Sequence, residues 1–341
     1  MPALRGQDQP ASELSVALST QWPKPNEHQA ASRIIPVSTL DAGRRTLARA
    51  DAGPHFGGGP YQQIDVGIDA HQTFWCWLKP YGVPSFTHRI LHELSDMHSG
   101  IKRMFAEGGD ADPPIRYFVV GSRTPGIFNL GGDLAFFADC IRAADRAALY
   151  QYARACIEVV YNNATALDLP FLTIALVQGD ALGGGFEAVL SCNVIVAEKQ
   201  AKMGLPEILF NLFPGMGAYS LLARKLDAAR AERMILSGRL YGAQELYELG
   251  VVDVLAEDGD GEEAVRQYIA RNARRHGAHR AICEVRRRIN PLVFQELEDI
   301  TRIWIDTALE LEEADLRKME RLATAQQRRL GFTPPVAAAA R

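Results

Sequence analysis

Apolar and polar positions follow two periods along most of the chain, and the switches between them mark the elements. Tyr61 to Asp69 and Gln72 to Lys79 read as two strands joined by a turn, with Val66, Ile68, Phe74, Trp75 and Trp77 supplying β-propensity. Over Ser85 to Ala106 the period lengthens, and Ile90, Leu91, Leu94, Met97, Ile101 and Met104 fall on one face of a helix. Ile115–Val120 and Phe171–Val177 are continuous apolar runs of the kind buried strands show. Helical patterns cover Asp133–Cys140, Ala143–Asn162, Gly184–Ser191, Met216–Leu226, Ala228–Leu236 and Ala243–Leu249, and Val194–Ala197 and Val251–Leu255 read as short strands. Strand and helix alternate, which predicts an α/β layered core with parallel strands.

From Gly261 onward no strand pattern remains. Three helical stretches follow, over 261–276, 278–289 and 291–328, and Leu292, Phe294, Leu297, Ile300, Ile303, Trp304, Leu309 and Leu311 suggest a face packed on its own core or on a neighbouring subunit. Residues 1 to 60 read differently: prolines scattered among Gln, Ser and Ala bury little apolar surface, so a disordered extension is expected, as is a flexible tail over 331–341. The division is then a core over 61–256 and a helical C-terminal region over 257–330.

Composition narrows the function classes. The 341 residues carry 37 Lys and Arg against 41 Asp and Glu, a net charge of −4, which excludes a chain held on nucleic acid by charge alone. The five cysteines, Cys76, Cys140, Cys156, Cys192 and Cys283, lie far apart with no CxxC, so reduced thiols and no metal site are expected. His88 and His92 share helical spacing without further ligands nearby and read as a surface pair. No secretory leader pattern opens the chain and no apolar run approaches the ~20 residues of a membrane span, so a cytoplasmic location without membrane contact is expected.

Three constellations can carry chemistry. Gln178 to Glu187 ends a buried strand, passes Gly183, Gly184 and Gly185, and starts a helix. Such glycines serve close packing, or they expose main-chain N–H groups to an anion or oxyanion. Phe128-Asn129-Leu130-Gly131-Gly132-Asp133-Leu134 is a second strand-to-helix loop, where Asp133 suits an N-cap and the Gly132 N–H could face the first loop. Glu187 and Glu207 are each commonplace as first-turn glutamates; beside two glycine loops in apolar stretches they suit an acid–base pair with raised pKa values. The basic run Arg271, Arg274, Arg275, His276, Arg280, Arg286, Arg287 and Arg288 reads as a solvated helix face, with an acidic carrier protein as the alternative partner.

In this order, and with Phe213 to Gly217, Leu236-Ser237-Gly238 and Ala243 to Val252, these elements resemble the crotonase (enoyl-CoA hydratase/isomerase) superfamily over roughly residues 62 to 328. Within it, segments 128–137, 175–192, 203–220 and 300–311 are most similar to the diffusible signal factor synthases, which make cis-2-unsaturated fatty acid quorum signals from 3-hydroxyacyl thioesters. The resemblance implies a ββα spiral core. It implies Glu187 and Glu207 as catalytic carboxyls, Gly132 and Gly184 as oxyanion donors with Gly131 and Gly183 as neighbours, and Trp304 and Leu322 along an acyl pocket. It further implies dehydration with thioester hydrolysis, no cofactor beyond a substrate carried on acyl carrier protein or coenzyme A, a homotrimer or dimer of trimers, and a sensor kinase as a signalling partner. Asn129-Leu130 before the glycines and the bulky Phe186 depart from ordinary hydratases. The α-proton is assigned to Glu207 and the departing hydroxyl to Glu187. The alternatives are an enoyl-CoA hydratase of fatty-acid metabolism and a non-catalytic member that binds a signalling partner.

Overall fold

The computed structural model describes residues 61–108 and 113–329. The expected extension over 1–60 and the tail over 331–341 lie outside the described residues. In chain order the elements are β1 (Ile64–Ile68), β2 (Thr73–Leu78), α1 (His88–Glu107), β3 (Tyr117–Ser122), β4 (Ile127–Asn129), α2 (Leu134–Arg142) and α3 (Arg146–Thr165). They continue with β5 (Leu172–Val177), β6 (Asp180–Leu182), α4 (Gly184–Leu190), β7 (Val194–Glu198), β8 (Lys202–Gly204), a 3-10 turn (Pro206–Phe210), α5 (Ala218–Lys225) and α6 (Ala228–Ser237). The remainder is β9 (Leu240–Gly242), α7 (Ala243–Glu248), β10 (Val254–Ala256), α8 (Gly261–Asn272), α9 (His276–Ile289), α10 (Phe294–Leu309) and α11 (Glu313–Arg329).

Three successive turns repeat one unit. A long buried strand (β3, β5, β7) is followed by a three-residue strand (β4, β6, β8) and then by helix. The long strands join a six-stranded sheet in the order β1-β2-β3-β5-β7-β10, and the short ones form a second sheet, β4-β6-β8-β9. This is the expected ββα spiral. Pairing is parallel except at β1–β2, the two strands read as joined by a turn, and at β8–β9. Every residue of β2, β3 and β5 is buried, as a sheet covered on both faces requires. Phe74, Cys76, Phe118 and Val120 face the main core under α1 and α3, while Trp75, Trp77, Tyr117 and Val119 face a second core with Val265 and Ile269 of α8.

The strands of the small sheet escape sequence reading because three residues are too few to show a period. The stretch read as one helix over 291–328 is two. α10 buries Leu297, Trp304 and Ile305, whereas α11 turns back after Leu311 and buries Leu316 and Met319. No Pro or Gly marks that break, and Leu316 and Met319 beyond it are buried.

Candidate active site

The two glycine loops meet. A Cβ placed on Gly184 would lie 3.5 Å from the Gly132 nitrogen, and one on Gly131 would lie 2.8 Å from the Leu182 carbonyl oxygen. Gly131 has φ of +97° and Gly183 has φ of +53°, so both turns use the left-handed region and tolerate no side chain at the point of contact.

The direction of each exposed amide follows from trans-peptide planarity, since the N–H points away from the preceding carbonyl. The Gly131 carbonyl accepts from the Phe86 N–H at 2.8 Å, so the Gly132 N–H points the other way. The Gly183 carbonyl accepts from Phe186 N–H at 2.8 Å and Glu187 N–H at 3.0 Å, turning the Gly184 N–H outward from the first turn of α4. Neither amide has an acceptor among the described residues, and both glycines line one cavity. The geometry is that of a two-donor oxyanion hole. Asp133 also caps α2, its carboxylate accepting from the Phe136 N–H at 3.1 Å, so the loop serves as helix cap and as amide donor at once.

The cavity has a volume of about 280 Å3. Glu187 and Glu207 line it, together with Gly131, Gly132, Gly183, Gly184, Trp304 and Leu322, so every site residue inferred from the sequence reaches the same space. Glu187 is buried, and one carboxylate oxygen accepts from the Met216 N–H at 2.9 Å and the Ala218 N–H at 3.0 Å. Burial pushes its carboxyl up to about 7, and those two amides restrain the rise. Burial and the neighbouring Glu187 charge push Glu207 up to about 8. Its Oε1 faces Gly183, and its Oε2 has no hydrogen-bond partner among the described residues. The two carboxyls are therefore close enough to sense each other and are set apart by their hydrogen bonds, as acid–base pairs are.

Trp304 is fully buried, its ring lies edge-on to Phe137, and α11 brings Leu322 to the cavity wall. The remaining wall is mostly apolar, including Phe86, Leu134, Val160, Leu209 and Leu240, with no Lys or Arg among the described residues. Sequence reasoning missed Phe86, Tyr152 and Cys156, which also line the cavity. Tyr152 and Cys156 sit a helical turn apart on α3, and that spacing is all the sequence offers, since core helices show it too.

The basic run divides. Arg287 donates to the Thr165 carbonyl at the end of α3, Arg288 pairs with Glu284 at 3.4 Å, and Arg280 and Arg286 are exposed. His276 is not on the solvated face: it is 6% exposed, its ring bonds the Arg116 carbonyl at 2.9 Å and stands edge-on to Tyr117. His88 and His92 are exposed on α1 as read. Among the described residues no helix is long and apolar enough to cross a membrane.

Residues 99–286, more than half of the chain, match the family model described as enoyl-CoA hydratase/isomerase. The chain is 33% identical over 192 residues to the mitochondrial methylglutaconyl-CoA hydratase of Rattus norvegicus, a match covering 56% of each. It is 33% identical over 141 residues to the fatty acid oxidation complex subunit alpha of Aliivibrio fischeri, covering 41% of this chain and 20% of that one. The chain thus spans little more than half the length of the first of these relatives. Among solved structures, an enoyl-CoA hydratase from Bacillus halodurans aligns with a TM-score of 0.63 at 20% identity, covering 76% of this chain and 100% of that one. DspI from Pseudomonas aeruginosa aligns with a TM-score of 0.56 at 25% identity, covering 81% and 98%. The spiral of ββα units, the paired amides and the family match agree: the chain belongs to the enoyl-CoA hydratase/isomerase family.

Proposed function

We propose that the protein dehydrates a 3-hydroxyacyl thioester to a cis-2-enoyl thioester and hydrolyses that thioester, releasing a free cis-2-unsaturated fatty acid that serves as a quorum signal. The observation that carries the reading is the convergence of Gly132 and Gly184 amides with two carboxyls of raised pKa at the wall of an apolar cavity. The thioester carbonyl oxygen sits between the two N–H groups, which stabilise the enolate that forms when the α-proton leaves. The acyl chain extends along the apolar wall toward Trp304 and Leu322.

The hydrogen bonds favour a division of labour opposite to the one read from the sequence. Two amides stabilise Glu187 as a carboxylate, which suits the base that takes the α-proton. Glu207 holds its proton to higher pH and suits the acid that protonates the departing hydroxyl. Water is released and the double bond forms. For hydrolysis, a water deprotonated by a glutamate adds to the same carbonyl, the amides hold the tetrahedral oxyanion, and the thiol leaves with a proton. The resemblance of segments 128–137, 175–192, 203–220 and 300–311 to the signal synthases supports the hydrolytic step and the acyl carrier protein as donor. Trimeric assembly and a sensor kinase partner rest on that resemblance as well.

The second reading, hydration of an enoyl-CoA, is favoured by the curated relatives, which include hydratases and fatty acid oxidation proteins. Mass spectrometry of products from the purified full chain, given 3-hydroxydodecanoyl thioesters on acyl carrier protein and on coenzyme A, separates the two. Free cis-2-dodecenoic acid from the carrier-bound substrate, absent with Glu187→Gln, is expected. Interconversion of trans-enoyl-CoA alone would replace this reading with the hydratase.

A further inference from the structure

Tyr152 has a position that the chemistry above does not use. It is fully buried on α3 and lines the cavity, yet its hydroxyl bonds the backbone of Phe86 and Asp133 rather than either carboxyl. The hydroxyl donates to the Phe86 carbonyl and accepts from the Asp133 N–H at 3.2 Å. Phe86 and Asp133 lie on the two segments that present the Gly132 amide. Phe86 N–H holds the Gly131 carbonyl, which sets the plane of the Gly131–Gly132 peptide. Asp133 follows Gly132 directly. One hydroxyl therefore ties the residue that orients the peptide to the residue that ends it. The Tyr152 ring is braced edge-on by Phe137 at 5.0 Å and by His88 at 5.1 Å. Burial drives the phenol well above its ordinary pKa, so it remains a neutral donor and acceptor at any working pH.

We propose that Tyr152 is a positioning residue that aims the Gly132 N–H at the substrate carbonyl, and that its hydroxyl sets how strongly that carbonyl is polarised. The proposal rests on the oxyanion-hole reading of Gly132 and Gly184. Its loss acts through the amide, so it lowers turnover without weakening the hold on the acyl chain.

The test combines kinetics with infrared difference spectroscopy of a bound enoyl thioester, whose carbonyl stretch falls in frequency as hydrogen bonds polarise it. Tyr152→Phe is compared with the parent and with Tyr150→Phe, a control two residues away whose hydroxyl bonds Glu298 instead. In Tyr152→Phe, kcat is expected to drop about tenfold to hundredfold, less than removal of a whole oxyanion donor. KM stays near the parent value and the carbonyl stretch moves back toward that of the free ligand. Tyr150→Phe leaves the stretch unchanged. A Tyr152→Phe protein that folds and keeps the parent's shifted stretch overturns the proposal. A parent that shows no shifted stretch overturns the oxyanion reading itself, so the two failures are told apart. Should Tyr152→Phe fail to fold, the same spectrum on Tyr152→Leu, which also lacks the hydroxyl, decides: a stretch moved back toward the free ligand supports positioning, and the parent's shifted stretch in a folded protein rejects it.

Discussion

At the scale of single residues the site is a problem in placing two carboxyls near each other. Glu187 has two amide donors on one oxygen, and Glu207 has an oxygen with none among the described residues. The proton shared by the pair therefore resides on Glu207 at neutral pH. The proposed chemistry requires Glu187 ionised and Glu207 protonated, so kcat/KM is expected to rise with pH through about 7 and fall beyond about 8. Glu187→Gln or Glu207→Gln should each lower kcat by about two to four orders of magnitude. A rate that stays level from about pH 6 to about pH 9 would exclude this pairing.

The same burial costs stability, and the sign can be worked out. Glu187 is raised from 4.5 to about 7 in the fold. Below 4.5 both folded and unfolded chains hold the proton and nothing is lost. Between 4.5 and about 7 the unfolded chain releases it while the folded chain does not, so stability falls as pH rises, by about 3 kcal/mol in all. Glu187→Gln keeps an oxygen for the Met216 and Ala218 amides and removes the charge. Its melting temperature relative to the parent should climb across this window and level off above it. A difference that does not vary with pH would mean that Glu187 is solvated in the folded state.

At the scale of elements, the site depends on β4–α2 and β6–α4 turning so tightly that their backbones touch. Gly131→Ala is the sharpest probe. Its φ of +97° strains any side chain, and the new Cβ would meet the Leu182 carbonyl at 2.8 Å and the Gly184 nitrogen at 3.1 Å. The loops must part, which should cost about 2 kcal/mol or more and remove most activity, because both amides move. Urea unfolding and product assay on the same preparation check it; normal turnover at reduced stability would show that the loops do not form the catalytic feature. The glycines themselves were legible in the sequence, since a buried strand running into Gly183-Gly184-Gly185 announces a tight turn. The contact between the loops was not, because it is made by β4 and β6, three-residue strands that pair in parallel across about fifty positions of chain. Likewise the N-cap role of Asp133 could be read locally, whereas the Tyr152 link from α3 to the Asp133 amide and the Phe86 carbonyl depends on a packing of distant segments. The break between α10 and α11 was hidden as well: nothing in Glu310-Leu311-Glu312 forbids helix, and the burial of Leu316 and Met319 beyond it depends on distant packing.

At the scale of the whole molecule, the spiral puts three strand-to-helix turns at one end of the sheets and closes the space they enclose with α10 and α11. The cover adds to a wall that is already mostly apolar. Trp304 comes from α10 and Leu322 from α11, and α11 is held by Arg142 of α2, which pairs with Glu313 at 2.9 Å and Glu320 at 2.8 Å. Those pairs are exposed and contribute little individually, so the apolar contacts of Leu316 and Met319 do most of the holding. The consequence is a preference among substrates. Among the described residues neither Lys nor Arg lines the cavity, and an ionised Glu187 would repel a carboxylate brought in by the substrate. A carboxylated acyl group would enter without a partner for its charge, a penalty of several kcal/mol, whereas an unbranched alkyl chain gains with each methylene buried. The protein should therefore turn over 3-hydroxydodecanoyl thioesters with kcat/KM about a hundredfold or more above 3-hydroxy-3-methylglutaryl thioesters on the same carrier. Competition between the two in one reaction, followed by mass spectrometry, measures that ratio directly. A ratio near unity would mean that the acyl group lies outside the cavity bounded by Trp304 and Leu322, and the cover helices would then have to open during turnover.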